Sequence, residues 1–187
     1  MTYSSGKLDF SQVRLVGSNV ILRPWKLVDK HSLIENANNV NISINLRDQF
    51  PYPYTDKHAD EWIKMTATSI FSTNCYFAIE VENKAVGGIG IMLGEDVHRC
   101  TAELGYWLGE SYWNRGLMSE AVRLMKDYAF DSLPQLQGLH ADPFSSNTAS
   151  AKVLEKVGFQ FEGRLRKSVI NRNGEILDQL VYSFIRE

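Results

Sequence analysis

Between Ala102 and Ser119 the chain reads A-E-L-G-Y-W-L-G-E-S-Y-W-N-R-G-L-M-S. Glu103 to Leu108 is aromatic-rich and extended, as a strand should be. Gly109-Glu110-Ser111 interrupts it, and Asn114-Arg115-Gly116 brings polar, flexible residues to the start of a helix. After Gly116 no Gly or Pro breaks the chain as far as Phe130. Met118, Val122, Met125 and Ala129 recur at spacings of four, three and four, and Leu117, Ala121, Leu124 and Tyr128 repeat the pattern one residue earlier. Together they form a broad apolar face, with Ser119, Glu120, Arg123 and Asp127 on the other side. A helix this amphipathic packs on a sheet, so its N-terminus is fixed in space.

That N-terminus has chemical consequences. The amides of a first helical turn lack intrahelical partners, and the helix dipole adds partial positive charge there. Gly116 lets a phosphate approach the backbone closely. The segment therefore suits a phosphorylated ligand, with the strand alongside to hold what the phosphate carries. An ordinary loop before an ordinary helix is the alternative. Neither a G-x-x-x-x-G-K-[ST] loop nor a G-x-G-x-x-G fingerprint is present.

The rest of the chain alternates helix and strand. Val20 to Trp25 reads as a strand, and Asp29 is placed to cap a helix carrying Leu33, Ile34 and Ala37. Asn39 to Tyr54 reads as a loop ending in Phe50-Pro51-Tyr52-Pro53-Tyr54, either an apolar wall or a stiff connector. Thr55 is placed to cap a helix with Ala59, Trp62, Ile63, Thr66 and Ile70 on its inner face. Tyr76 to Val81 and Val86 to Leu93 read as strands, with Gly94-Glu95-Asp96 turning the chain into the next. Gly138 to Ala141 is a further strand, and a helix from Asn147 to Val157 stops at Gly158. Phe161 to Ile170 and Glu175 to Ile185 form a hairpin around Asn173-Gly174.

Bulk properties exclude several classes. The length of 187 residues predicts a single domain over 1–187. A net charge of -2 gives no electrostatic reason for a nucleic-acid partner. Met1 to Asp9 has no signal-peptide apolar core, and no apolar run approaches the roughly 20 residues that span a bilayer. Cys75 and Cys100 form no C-x-x-C pair, and a reducing, cytoplasmic setting is expected. Cys75, at the start of an apolar strand, reads as core, and His31, His58, His98 and His140 have no metal-ligand spacing.

Asn147 and Ser150, three apart at a helix start, share one face of its first turn. Either they cap the helix, or they face the same cleft as the phosphate loop.

Glu103-Leu104-Gly105-Tyr106-Trp107-Leu108-Gly109 followed by Trp113-Asn114-Arg115-Gly116-Leu117-Met118-Ser119-Glu120-Ala121 resembles the acetyl-CoA motif of the GNAT acetyltransferases. Asn147-Thr148-Ala149-Ser150, with Val153-Leu154-Glu155-Lys156-Val157-Gly158-Phe159, is similar to the family's second signature, and the RimJ/RimL-like branch is the nearest in pattern. The family loop is usually Q/R-x-x-G-x-G/A, whereas here its ends are Trp113 and the bulkier Met118. The resemblance implies an α/β fold with a mixed, splayed central sheet flanked by helices and a C-terminal β-hairpin. It implies that Trp107, Leu108 and Gly109 hold a pantetheine arm by backbone pairing. Amides from Asn114, Arg115, Gly116, Leu117, Met118 and Ser119, on the loop opened by Trp113, would take the pyrophosphate. Asn147 would bond the pantetheine chain, and Ser150 would protonate the departing thiolate. The implied cosubstrate is acetyl-CoA, the partner an amine acceptor, and the oligomeric state is monomer or homodimer.

The chemistry asks for little more. A neutral amine must attack the thioester, and a protein α-amine at about 7.7–8.0 loses its proton far more readily than lysine at about 10.4. Glu103 shares its strand face with Gly105 and Trp107 and is the first candidate base, with His140 and Asp142 second. An ordinary strand carboxylate is the alternative for Glu103. Direct transfer to a peptide N-terminus in a ternary complex is expected. A small amine such as a polyamine, amino acid or antibiotic is the alternative acceptor, and a CoA-binding sensor without turnover is the alternative of another class.

Overall fold

The computed structural model describes residues 9–68 and 74–187, and Ile70 of the expected inner helix face lies outside the described residues. The strands are β1 (Leu15–Val16), β2 (Ile21–Pro24), β3 (Asn74–Val81), β4 (Lys84–Leu93), β5 (Thr101–Leu108), β6 (Gly138–Ala141), β7 (Gln160–Ile170) and β8 (Ile176–Ile185). The helices are α1 (Lys30–Ala37), α2 (Val40–Ser43), α3 (Asp56–Thr68), α4 (Leu117–Ser132) and α5 (Thr148–Val157). The strands form one sheet in the order β1-β2-β3-β4-β5-β6-β8-β7, as the expected mixed architecture requires. Among the described residues only β5 and β6 pair in parallel, because α4 carries the chain from one to the other.

Each face of the sheet buries its own cluster. Leu22, Phe77, Ile79, Ile91 and Leu104 meet Leu117, Ala121, Val122, Met125 and Leu154 of α4 and α5. On the opposite face Trp25, Ala78 and Ala85 meet Leu33 and Ala37 of α1 and Ala59 and Ile63 of α3. The period-2 alternation of β5 feeds both faces: Ala102, Leu104 and Leu108 are buried toward α4, while Trp107 packs against the second cluster. Gly88 of β4 lies under Trp107, where a Cβ would stand 2.7 Å from the indole Nε1.

Several local expectations change. Asp29 does not cap α1 through its side chain. Its carboxylate instead takes the Arg23 guanidinium at 2.7 and 2.8 Å and the Lys26 N–H at 2.8 Å, and Arg23 Nε also donates to Glu80. A buried guanidinium needs these anions, and they outcompete the helix cap. Asn39 to Tyr54 is not all loop, because Asn39 accepts from Asn41 N and caps the short helix α2. Glu120 is buried rather than solvent-facing: it accepts from the backbone N–H of Ser18 and Asn19 and ties the β1–β2 turn to α4. In the β7–β8 turn only Gly174 takes a positive φ, so Asn173-Gly174 is not a two-residue type I′ turn. Asn171 Oδ1 organises a wider loop by accepting from Asn173 N and Glu175 N.

Candidate active site

The site begins where two strands part. β5 pairs with β6 only at Thr101↔Gly138, Ala102↔Leu139 and Glu103↔His140. Beyond Ala141 the chain leaves β5 and follows β8, with Leu180 N donating to Pro143 O at 2.9 Å and Ser145 N to Asp178 O at 2.9 Å. The remaining length of β5, to Leu108, borders an opening. Gly94 N donates to Thr101 O at 2.9 Å and Gly109 N to Val86 O at 2.8 Å, which fixes the ladder between β4 and β5. By alternation, Glu103, Gly105 and Trp107 turn their backbone groups to β4, while Tyr106 and Leu108 turn theirs to the opening. This corrects the expectation for Trp107, whose backbone faces Gly88. Leu108 keeps its place at the opening, and its carbonyl already accepts from Trp113 Nε1 at 2.8 Å.

The turn into α4 sits at the far end of β5. Gly116 is the N-cap of α4 at φ 75°, a left-handed conformation natural to glycine, and Asn114 also has a positive φ. Nothing within 4 Å would meet a Cβ at Gly116, so the backbone angle and not crowding selects the residue. Glu120 N is bonded to Gly116 O, and the amides of Leu117, Met118 and Ser119 precede the first intrahelical bonds. The Met118 side chain packs on the core, which leaves its bulk off the loop. Trp113 is a brace, because its indole N–H goes to Leu108 O and its backbone N–H to Glu110 O. Arg115 is half exposed, lies over the Tyr112 ring and stands 3.6 Å from Glu82. It is the cation nearest the helix start in sequence.

Across the opening, Asn147 Oδ1 accepts from Ser150 N at 3.1 Å, so capping of α5 is realised. The cap uses only the oxygen of the amide and leaves Nδ2 as a donor. Ser150 Oγ lies 2.8 Å from the Tyr106 hydroxyl. One cavity of about 520 Å³ is lined by Tyr106, Asn147 and Ser150 together with Glu103, Trp107, Phe50 and Tyr54. The Phe50–Tyr54 segment is therefore a wall: Phe50 packs on Tyr54 and Trp107 at 5.4 and 5.5 Å between ring centroids. Arg172, from the β7–β8 turn, holds this wall by donating to Phe50 O at 2.6 Å.

Residues 19–160 match the family described as the acetyltransferase (GNAT) domain. The chain belongs to the GNAT acetyltransferases. It is 34% identical over 138 residues to the uncharacterized N-acetyltransferase p20 of Bacillus licheniformis, covering 72% of this chain and 76% of p20. Among solved structures, MccE, a microcin self-immunity acetyltransferase in complex with acetyl-CoA and AMP, superposes with a TM-score of 0.78 at 21% identity, over 91% of this chain and 94% of that one. RimL, a ribosomal α-N-protein acetyltransferase in complex with coenzyme A, gives 0.77 at 20%, over 92% and 98%. The fold is thus that of the family, and this GNAT protein is an acetyl-CoA-dependent N-acetyltransferase. Among its described residues, no helix is long and apolar enough to cross a membrane.

The candidate bases of this GNAT enzyme sit in pairs. Glu103 receives a hydrogen bond from Arg47, which lies 56 residues earlier in the chain and has no local sequence signal. His140 Nδ1 is 3.2 Å from Asp142 Oδ2. That hydrogen bond raises the imidazole above its ordinary 6.5 against the pull of desolvation; the Asp142 and Glu103 charges add to the rise and Arg47 opposes it. A histidine raised on folding stabilises the fold below about pH 6.5 and loses that contribution as pH climbs through the raised value. Asp142→Asn is therefore expected to lower the His140 titration midpoint by NMR. It should also destabilise the fold more in acid than in alkali. An unmoved midpoint would show that Asp142 does not set the imidazole. Cys75 is core: it is 1% exposed, and burial pushes its thiol up, keeping it protonated and unreactive.

Besides Arg47, Tyr106 is a site residue to which sequence reasoning gave no role. It stands in the β5 row of Leu104 and Leu108, which packs on helices. A tyrosine in such an aliphatic row needs a partner for its hydroxyl, and that signal was available.

Proposed function

We propose that the enzyme acetylates the α-amine of a peptide or protein N-terminus by direct attack on bound acetyl-CoA. The supporting observation is the cavity beside the parted strands. Its walls are Phe50, Tyr54, Trp62, Tyr76, Trp107 and Phe144, and each of its two carboxylates already has a basic partner, Glu103 in Arg47 and Asp142, through Oδ2 alone, in His140. A polyamine brings several cations and gains most from unpaired acids. A peptide N-terminus brings one amine and a first side chain that aromatic walls can cover. That RimL is an α-N-protein acetyltransferase of the same fold adds support.

In this reading the outward backbone groups of Tyr106 and the Leu108 N–H receive the pantetheine arm as an added strand, the Leu108 carbonyl staying with Trp113, and Asn147 Nδ2 bonds the arm from across the opening. The amides of Leu117 to Ser119, with Arg115 beside them, hold the pyrophosphate. Glu103 takes the proton of the attacking amine, directly or through a water, with Arg47 fixing its orientation. Ser150 gives a proton to the departing thiolate.

The test is an acceptor panel with thiol release from acetyl-CoA as readout. Short peptides with free α-amines should exceed their N-blocked, lysine-bearing counterparts and polyamines, because the α-amine needs about 3–4 kcal/mol less help to lose its proton. Glu103→Gln should slow transfer most near neutrality, and the loss should shrink as pH rises through the acceptor's own value. Better turnover of polyamines or nucleotide-linked amines than of any peptide would move the enzyme to the small-amine reading. Parallel double-reciprocal lines would overturn direct transfer in a ternary complex.

A further inference from the structure

The geometry points to Tyr106 as a positioning residue that aims the Ser150 hydroxyl at the thioester sulfur. The inference rests on the proposed role of Ser150 and adds what sets that serine's direction. Tyr106 leaves β5 on the face of Leu104 and Leu108 and packs its ring against the same core. Its hydroxyl reaches the first turn of α5, 2.8 Å from Ser150 Oγ and 3.3 Å from Ser150 O. The two groups belong to the two sides of the opening, one on β5 and one on α5. Both line the cavity.

A serine hydroxyl rotates freely and has a single hydrogen. In the first turn of a helix it has several acceptors to choose from, and only one orientation serves a leaving group. The phenol's single hydrogen goes to the nearer acceptor, Ser150 Oγ at 2.8 Å rather than Ser150 O at 3.3 Å, so the serine hydrogen points elsewhere, and the open side is the cavity. Burial pushes the Tyr106 phenol up from its ordinary value, with the Ser150 bond opposing, so the phenol keeps its hydrogen across the working range. The Asn147 cap on Ser150 N fixes the backbone of the same residue. Oγ is thus set from two directions, by the cap through the main chain and by the phenol through the side chain.

In the transfer step the amine nitrogen bonds the acetyl carbon, the carbon–sulfur bond breaks, and sulfur takes the Ser150 Oγ hydrogen. The Tyr106 hydrogen bond steadies the negative charge on Oγ meanwhile. Glu103 takes the proton shed by the amine and releases it to solvent, from which Ser150 regains one. One proton leaves nitrogen and one arrives at sulfur, and Tyr106 ends as it began.

The experiment is a double-mutant cycle on thiol release from saturating acetyl-CoA. The acceptor is a short peptide or, if no amine in the panel turns over, water, since hydrolysis breaks the same carbon–sulfur bond. Ser150→Ala should lower kcat about 100-fold. Tyr106→Phe should lower it about tenfold, the worth of one hydrogen bond. The affinity for CoA, by calorimetry, and the melting temperature should stay near parental values, because phenylalanine keeps the ring. In the Ser150→Ala background Tyr106→Phe should cost less than about twofold, because there is no hydroxyl left to aim. Equal losses in both backgrounds would make Tyr106 a structural residue and overturn the proposal. If Ser150→Ala alone leaves kcat intact, the proton-donor role of Ser150 fails, and the aiming role fails with it. Failure of every amine with the coupling intact in hydrolysis would count against the acceptor reading alone.

Discussion

Replacing Gly116 with glutamate is expected to weaken CoA binding by about 100-fold or more, a loss of about 2.7 kcal/mol at 25 °C. Two causes add. Gly116 holds φ 75°, where any residue with a Cβ is strained by roughly 1–2 kcal/mol. The new carboxylate would also stand at the N-terminus of α4, at the site proposed for the pyrophosphate, and would compete for the amides of Leu117 to Ser119. Gly116→Asn separates the causes, because asparagine tolerates the left-handed region and adds no charge. A Cβ there meets nothing within 4 Å, so steric relief plays no part. Calorimetric titration should show Gly116→Asn within a few fold of the parent and Gly116→Glu far weaker, with both variants folded. Parental affinity in Gly116→Glu would remove the loop from the binding site.

The largest stability effect is expected at Arg23. Its guanidinium joins β2 to the turn before α1 through Asp29 and to β3 through Glu80, with all three side chains less than a tenth exposed. Arg23→Met should cost about 3–5 kcal/mol in urea unfolding, because buried Asp29 loses its cation and Glu80 keeps only the half-exposed Arg14 at 3.7 Å. The exposed Arg164–Asp178 pair, at 3.3 Å, is the control. Arg164→Met should cost less than about 1 kcal/mol, because water replaces the partner. A loss below about 1 kcal/mol for Arg23→Met would show that the buried carboxylates find other partners.

The two sites have different physical foundations. The Arg23 cluster is buried, and its worth is that of charges that cannot be left unpaired. The opening beside β5 is the reverse. The chain after Ala141 crosses to β8, so Tyr106 and Leu108 keep backbone groups with no neighbouring strand. Sheets usually cover or blunt such an edge. Here the edge faces a cavity, and apart from the Leu108 carbonyl, which Trp113 holds, its groups are placed for a ligand able to act as a strand.

What the sequence determined by itself was local. Alternation in Glu103 to Leu108, the uninterrupted apolar face after Gly116, the stop at Gly158 and the extended pairs around Asn173-Gly174 are consequences of backbone geometry over a few residues. Elements whose apolar spacing was regular appeared close to where the pattern placed them, as at Gly138–Ala141 and Thr148–Val157. The glycine at the start of α4 was legible for the same reason, since its left-handed angle is a local demand. The family motif was legible because both of its blocks are contiguous in sequence. Tertiary structure alone decided which atoms meet. The bond from Arg47 to Glu103, the capture of Asp29 by Arg23, the burial of Glu120 under the β1–β2 turn and the approach of Tyr106 to Ser150 join residues on separate elements. No periodicity encodes such partners, because a polar side chain goes to whichever unsatisfied group the packing brings near it. The backbone of Trp107 shows the same limit. Strand character was local, but the side to which its N–H points was fixed by the register with Gly88, and register belongs to the pair of strands rather than to either one.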